Sequence, residues 1–115
     1  MTGPLEGVKV LDLTSVLLGP YATQIMGDLG ADVIKIESPA GDTTRQTGVE
    51  RNPGMASFFL IANRNKRSLV LDLKKEAAKE ALWRLIDTAD VFIHAIRPKA
   101  IRRLGFGPEA VLARN

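Results

Sequence analysis

Four cations lie close together near the carboxyl end of the chain. Arg97, Lys99, Arg102 and Arg103 fall within seven residues, with no acidic residue among them. Guanidinium and ammonium groups bind phosphate and carboxylate oxygens through charge-assisted hydrogen bonds. The cluster therefore indicates a site for an anionic ligand, although a solvated helix face would explain the same residues equally well.

A second basic segment, NRNKRS, runs from Asn63 to Ser68. Arg64, Lys66 and Arg67 place three cations in four positions, which makes the segment a candidate phosphate-binding patch. Composition alone favours the simpler interpretation, a solvated basic turn. The single histidine, His94, follows an apolar run, where a lone imidazole is more often structural than catalytic.

These residues need a framework, and the first part of the chain predicts one. Val8 to Leu13 and Val33 to Glu37 have the apolar composition of strands. Between them, Pro20 suits a first helical position, Gly30 suits a left-handed C-cap, and one apolar face recurs at helical spacing. That face consists of Ala22, Ile25, Met26 and Leu29. The β-α-β unit predicts a parallel pair, with a ligand site beside residues 12–20 at the strand ends.

A dinucleotide site is not indicated at this turn. Such sites need the G-x-G-x-x-G fingerprint, and residues 15–20 read SVLLGP. Glu37 stands where a ribose-binding acid would lie, but without the glycines we interpret it as a strand-end charge.

The remaining chain predicts further alternation of strands and helices. Residues 38–54 lack periodicity, which is typical of either a lid or a mobile surface loop. A short buried helix is expected over Met55 to Ile61. The later elements are a strand over Leu69–Leu73, a helix over Lys75–Thr88, a strand over Val91–Ile96, a helix over Pro98–Leu104 with Gly105 as its cap, and a helix from Pro108 with Val111 and Leu112 on an apolar side.

Composition narrows the classes of protein. The 115 residues match about one domain, and 45% hydrophobic content with 25% charged content is ordinary for a globular protein. The opening residues lack the pattern of a secretory leader, and the longest apolar run is far too short for a membrane helix, so we expect a cytoplasmic protein. A net charge of +3 suits a small anionic ligand as well as it suits nucleic acid. Nucleic acid is the less favoured partner because only six aromatic residues are present and because basic residues alternate with acidic ones through the long helix.

Three blocks, in order and spacing, resemble the N-terminal part of the family III coenzyme A transferases. They are LDLTSVLLGPYATQIMGDLGADVIKIESPAGD, NRNKRSLVLDLK and ADVFIHAIRPKAIRRLGFG. The resemblance covers nearly the whole chain. It implies an α/β fold, a Rossmann-like parallel sheet with flanking helices. Because family members are three to four times longer and form interlocked dimers, it also implies that residues 1–115 are a single incomplete CoA-binding domain, a fragment of a longer architecture that works as a homodimer.

The resemblance carries a CoA site onto particular positions. Val16 and Leu17 fall in the turn that contacts CoA, although many members have a polar side chain in place of Leu17. Ser38 stands where many members have an arginine for the nucleotide phosphates. Leu71 and Lys74 match positions at the adenine end. In the common family motif E-N-F-R-P-G, Ala95 and Ile96 replace Asn-Phe, Lys99 replaces the glycine, and His94 replaces the glutamate. Arg97 keeps the family arginine, and Arg103 matches an arginine that reaches phosphate.

The resemblance also implies the chemistry. An aspartate attacks an acyl-CoA, an aspartyl-CoA thioester forms, and an incoming carboxylic acid takes the CoA. None of the seven aspartates in this chain matches the motif of that nucleophile, and we interpret them as caps, turn residues or surface charges. We therefore predict no catalytic residue and no metal ligand within residues 1–115. The alternatives are the α-methylacyl-CoA racemase branch of the family, or a non-catalytic α/β module that binds another polyanion or a partner chain.

Overall fold

The computed structural model describes residues 3–115. Its strands are β1 (Lys9–Leu13), β2 (Asp32–Glu37), β3 (Lys66–Val70) and β4 (Val91–His94). Its helices are α1 (Leu18–Asp28), α2 (Ser57–Ala62), α3 (Glu76–Ile86), α4 (Pro98–Leu104) and α5 (Pro108–Arg114), with a 3₁₀ turn at Thr43–Gln46. All pairings are parallel, and the order across the sheet is β3-β2-β1-β4. The predicted α/β class and parallel sheet are confirmed.

The strand order reverses direction at β1. The chain moves outward from β1 to β2 and β3, then returns through α3 to place β4 on the other side of β1. The carboxyl ends of β1 and β4 thus lie side by side at a topological switch point. Ligands of open α/β sheets bind in the crevice outside the strands at such a point.

Two apolar clusters hold helices against the two faces of the sheet. On one face, Leu11 and Ile36 pack with Leu82 and Ile86 of α3 and with Ile101 of α4. On the other face, a smaller cluster joins Val10, Ala31 and Val33, with Met26 of α1 packed against it. Because strands of such a sheet are covered on both sides, their sequences read as nearly continuous apolar runs.

Helix α1 differs from the expected orientation. Its buried residues are Pro20, Thr23, Gln24 and Gly27, whereas Ile25 and Leu29 of the predicted inward face are 42% and 41% exposed. The sheet surface under α1 carries buried charges, so the helix turns hydrogen-bonding side chains toward it. Pro20 is also the third helical residue rather than the first, because α1 begins at Leu18.

The segment between β2 and β3 is more ordered than its composition suggests. The loop after β2 forms a 3₁₀ turn whose cap, Asp42, and whose Thr44 are both buried. The short helix predicted at Met55 is α2, and only Phe59 and Ala62 in it are buried. Strand β3 begins at Lys66, three residues before the predicted start, because an edge strand tolerates the charged residues at its beginning.

The later elements follow the prediction closely. Helix α3 buries Leu82 and Ile86 from the expected stripe, and the Arg84 guanidinium contacts the Glu80 carboxylate at 2.9 Å. Gly30 and Gly105 have φ values of 105° and 96°, as left-handed C-caps require.

Within residues 3–115, no helix has the length and apolar character needed to cross a bilayer. Residues 1 and 2, part of the opening stretch without a leader pattern, lie outside the described chain.

Candidate functional site

A cavity of about 340 Å³ opens at the carboxyl edge of the sheet. Its walls come from the segments that follow all four strands, so it lies at the switch point between β1 and β4. The lining residues that matter below are Ser15, Ser38, Leu71, Lys74, Ile96 and Leu104. Apolar side chains alternate there with a few polar groups, which is the usual composition of a small-molecule site.

The cavity brings together four of the residues assigned from the family resemblance. Ser38, Leu71, Lys74 and Ile96 line it directly, although they are spread over 59 positions of the sequence. Leu71 and Lys74 reach it because β3 ends at Val70 and the chain then turns over the sheet edge. These four residues meet only because of the order of the strands in the sheet, which the sequence alone does not give.

The other five assigned residues lie next to this lining and not within it. Val16 and Leu17 follow Ser15 in the turn between β1 and α1, and both are about half exposed. Ala95 and Arg97 flank Ile96, and Arg103 precedes Leu104 in the last turn of α4. All three of these last residues are exposed. Their contacts with a ligand stay predictions.

The cationic cluster on α4 is open to solvent. The Arg102 guanidinium contacts the Glu109 carboxylate at 3.0 Å. Within residues 3–115, Arg97, Lys99 and Arg103 form no ion pair. Arg97 and Arg103 adjoin the lining residues Ile96 and Leu104 in sequence, so these two cations are the candidates for contact with an anionic ligand.

The second basic segment is not a phosphate patch. Arg64 pairs with Asp28 at 2.8 Å, Arg67 pairs with Asp32 at 2.7 Å, and Lys66 is almost completely buried. Each cation already has a carboxylate partner, so the segment ties β3 to α1 and β2. The solvated-turn interpretation fits the two arginines and is wrong for Lys66.

Lys66 belongs to a buried polar cluster around Asp12. The Asp12 carboxylate accepts hydrogen bonds from the hydroxyls of Thr14 and Thr23, the latter at 2.6 Å, and from Lys66 Nζ at 3.0 Å. Burial by itself would raise the pKa of Asp12, but these hydrogen bonds and the Lys66 charge outweigh it and lower that pKa. For Lys66, burial dominates and lowers the pKa despite the attraction of Asp12. Asp12 is therefore an ionised structural centre, not the surface charge expected.

Two further carboxylates at the cavity are neutralised by cations. The Glu37 carboxylate accepts two hydrogen bonds from the Arg45 guanidinium, at 2.7 and 2.9 Å, and Arg45 stacks 3.8 Å from the centre of the Phe59 ring. Burial favours the neutral form of Glu37, yet the Arg45 contacts prevail and hold its pKa below the usual range. The same guanidinium pairing raises the pKa of Arg45.

The second neutralised carboxylate is Asp42, which contacts Lys35 Nζ at 2.9 Å. Both side chains are about 1% exposed. Burial opposes ionisation of Asp42, but hydrogen bonds from Lys35 and Thr44 outweigh it and lower its pKa. Glu37 and Asp42 both line the cavity and both have cationic partners, whereas the Asp72 carboxylate, which also lines it, accepts a hydrogen bond from the Lys74 backbone N–H at 3.2 Å.

A sequence signal for these buried charges was available. Asp12, Lys35 and Glu37 follow apolar residues within strands whose first residues alone, Lys9 and Asp32, are also charged. Because the inner positions of a strand covered on both faces are buried, a charge there needs a partner of opposite sign. The sequence could indicate that partners exist, but it could not show that Asp42, Arg45 and Lys66 are those partners.

His94 has a local structural contact. Its Nδ1 accepts a hydrogen bond from the Ile96 backbone N–H at 3.0 Å, which shapes the turn after β4.

A second cavity, of about 320 Å³, lies between β4 and α5 and is lined mainly by apolar residues that include Phe92, Val111 and Leu112. This second cavity gathers none of the residues assigned from the resemblance.

Comparison with known proteins identifies the family. The family described as CoA-transferase family III matches residues 5–115 of the chain. This chain belongs to that family. It is 46% identical over 114 residues to the probable fatty acyl-CoA transferase Rv3272 of Mycobacterium tuberculosis, a match that covers 97% of the chain and 29% of that protein. It is 43% identical over 109 residues to human succinyl-CoA:glutarate CoA-transferase, covering 94% of the chain and 25% of that protein.

Solved structures agree with the family assignment. A CAIB/BAIF family protein from Brucella suis superposes with a TM-score of 0.92 at 39% identity, over 100% of this chain and 32% of that one. The crystal structure of Rv3272 gives a TM-score of 0.90 at 46% identity. The family III chain thus spans about a quarter to a third of the relatives that it matches, which fits the expected N-terminal part.

Proposed function

We propose that this family III chain provides part of the CoA-binding surface of a CoA-transferase. In the proposal, residues 1–115 form one incomplete domain of a protein that moves CoA from an acyl-CoA to a carboxylic acid. The observation that carries the proposal is the convergence of Ser38, Leu71, Lys74 and Ile96 on one cavity at the switch point. Family membership supports CoA as the ligand, and the convergence of these residues supports the cavity as its binding site.

The chemistry of the cavity suits the nucleotide end of CoA. Leu71, Ile96 and Leu104 offer apolar contact to a flat purine, while Lys74 and Arg103 offer positive charge to phosphates. A volume of about 340 Å³ is at the lower end of the range for ligand sites, so the cavity fits a nucleoside-sized part of CoA rather than the whole molecule. The remainder of CoA would extend along the exposed turn that contains Val16 and Leu17.

In the proposed reaction, this chain binds and orients the substrate. An aspartate outside residues 1–115 would attack the acyl-CoA carbonyl and form a mixed anhydride, with release of the CoA thiolate. Return of the thiolate to the aspartyl carbonyl would release the first acid and give the aspartyl-CoA thioester. The acceptor carboxylate would attack this thioester and form a second mixed anhydride, and the thiolate released would then attack the acceptor's carbonyl, which gives the new acyl-CoA and frees the aspartate. A homodimer and acyl-CoA metabolism belong to the same proposal and are supported by the family, and a cytoplasmic location is proposed with them.

Calorimetric titration with CoA tests the proposal. We expect the chain to bind CoA and Arg103→Ala to weaken that binding by about tenfold, the loss expected for one charge-assisted contact to phosphate. Arg102→Ala is the matched control, because it removes the same charge from the same helix, where the guanidinium is already held by Glu109.

Two results would count against the proposal. No heat with CoA from the wild-type chain would mean that these residues do not form a site. If Arg103→Ala and Arg102→Ala weaken CoA binding equally, and if salt abolishes the binding, the surface binds polyanions in general and is not a CoA site.

A further inference from the structure

The turn between β1 and α1 contains a backbone conformation that needs support. Val16 has a φ of 71°, in the left-handed region that β-branched residues rarely adopt. Its side chain is 52% exposed, so packing does not compensate for the unfavourable conformation. Such a residue persists only where surrounding contacts hold it, and in proteins such positions cluster at functional sites.

The contacts that hold this turn come from one buried ion pair. The Val16 backbone N–H donates to both carboxylate oxygens of Asp42, each at 3.2 Å. Two residues earlier, the Thr14 carbonyl oxygen accepts a hydrogen bond from Lys35 Nζ at 3.3 Å. Because Lys35 and Asp42 also bind each other at 2.9 Å, the pair grips the turn on both sides of Ser15.

The ion pair is itself fixed in place. The backbone N–H of Asp42 donates to the Glu37 carboxylate at 2.7 Å, and Asp42 caps the 3₁₀ turn by accepting from the Thr44 N–H at 3.0 Å and hydroxyl at 2.8 Å. The loop after β2 and the turn after β1 are thereby joined beneath the cavity. Ser15, Glu37 and Asp42 all line that cavity.

We propose that Lys35 and Asp42 are positioning residues, and that their ion pair sets the shape of the β1–α1 turn for ligand binding at the cavity. The ligand part of this inference rests on the proposed function, since the ligand is CoA. Asp42 lines the cavity, but its carboxylate oxygens are already engaged by Lys35, Thr44 and the Val16 N–H, so the pair acts through the turn. It acts by holding Val16 in the left-handed conformation, so that Ser15 and Leu17 present their backbone and side chains to the cavity mouth.

The test combines amide hydrogen exchange with CoA titration on Asp42→Asn. The asparagine keeps Oδ1, which accepts from Thr44 and is one of the two acceptors of the Val16 N–H, but it places an amide donor at the second acceptor, against Lys35 Nζ. Because the turn then loses its ion pair and half of its contact with Val16, we expect the protection of the Val16 amide from exchange to fall and CoA affinity to fall about tenfold. If Asp42→Asn does not fold, the double variant Lys35→Met/Asp42→Asn removes the unpaired buried lysine charge and gives the same two measurements.

A matched control lies at the amino ends of β1 and β4, at the side of the sheet opposite the cavity. The Asp90 carboxylate accepts a hydrogen bond from the Lys9 backbone N–H at 2.9 Å and so also joins two distant segments. Asp90→Ala removes a carboxylate-to-backbone contact of the same kind far from the cavity. We expect it to leave CoA affinity unchanged within twofold.

A second variant separates positioning from simple stabilisation. Glycine adopts positive φ without strain, so the turn in Val16→Gly depends less on Asp42. We expect the loss of CoA affinity caused by Asp42→Asn to be several-fold smaller in the Val16→Gly background. A purely structural role for Asp42 would give equal losses in both backgrounds.

The failures are distinguishable. A wild-type chain that binds no CoA overturns the proposed function. A Val16 amide that stays equally protected in folded Asp42→Asn overturns the holding of the turn. A folded Asp42→Asn variant that has lost this protection but binds CoA as tightly as wild type overturns the positioning role.

Discussion

Single charged residues, buried and paired, organise the sheet face under α1. Asp12, Lys35 and Lys66 are each no more than about 2% exposed in their side chains. Every buried side-chain nitrogen and oxygen in the described residues has a hydrogen-bond partner. A fully satisfied polar network fixes one arrangement of the elements that it joins, because any other arrangement leaves a buried charge without a partner. The residues at this face therefore specify geometry more than they contribute net stability.

Lys66→Met tests that interpretation at the residue scale. It removes the cationic partner of Asp12 and leaves the carboxylate buried, so we expect the free energy of unfolding to fall by about 3–5 kcal/mol in urea titrations. The double variant Lys66→Met/Asp12→Asn should recover much of the loss, because it also removes the unpaired charge. Arg84→Met, which breaks an exposed pair with Glu80, should change stability little. A similar small effect of Lys66→Met would show that the buried pair is not needed.

At the scale of elements, periodicity predicted which elements exist and where many of them lie. The alternation of strands and helices, the stripe of α3 and the glycine caps of α1 and α4 follow from local rules and are confirmed. The orientation of α1 could not be predicted, because its apolar stripe does not show which residues of the sheet the helix packs against. The actual cover depends on Thr23 meeting Asp12 and on the Gln24 side chain accepting from the Arg64 backbone N–H, and both contacts cross from one element to another.

The loop after β2 shows the same limit. Its composition allowed a lid or a mobile surface segment, whereas Asp42 and Arg45 anchor its first part to β2. The edge of the sheet that holds the site was predicted from the β-α-β unit, whereas most of its individual residues were predicted only through positions matched to the family. Of the two residues that support the turn, Lys35 is marked by its place between apolar residues of a strand, but Asp42 carries no local pattern that distinguishes it from an ordinary turn residue.

Acid should loosen this loop. Asp42 and Glu37 have folded pKa values below their ordinary values of 3.8 and 4.5, so folding favours their ionised forms. Their stabilisation is complete above the unfolded pKa values and is lost as the pH falls through the lowered folded ones. We expect the free energy of unfolding to decline below about pH 4.5, with a shallower decline in Glu37→Gln. A stability that stays flat down to about pH 3 would contradict these lowered pKa values.

On the scale of the whole molecule, α1 and α2 expose an apolar surface. Leu18 is 87% exposed and Ile61 is 61% exposed, and the two helices contact each other. Tyr21, Ile25, Phe58 and Leu60 are exposed on the same two helices. Monomeric proteins rarely leave large apolar patches in water. The chain also spans only about a quarter to a third of its relatives, so further sequence is available in those proteins to cover such a surface.

Sedimentation velocity tests this surface. We expect the chain to associate as its concentration rises, and Leu18→Glu to reduce that association because it places a charge in the apolar patch. Leu112→Glu is the control, since Leu112 is also 75% exposed but stands on α5. A monodisperse monomer at all concentrations would show that the patch needs no partner, and an effect of Leu112→Glu alone would move the contact to α5.

The proposed function depends on the binding of CoA at the cavity of the switch point. Amide chemical-shift mapping of the chain with CoA locates that binding residue by residue. We expect shifts that cluster at Ser38, Leu71, Lys74, Ile96 and Arg103, with the turn at Val16 also affected. Shifts confined to the second cavity, around Phe92, Val111 and Leu112, would contradict it, as would a spectrum that CoA leaves unchanged.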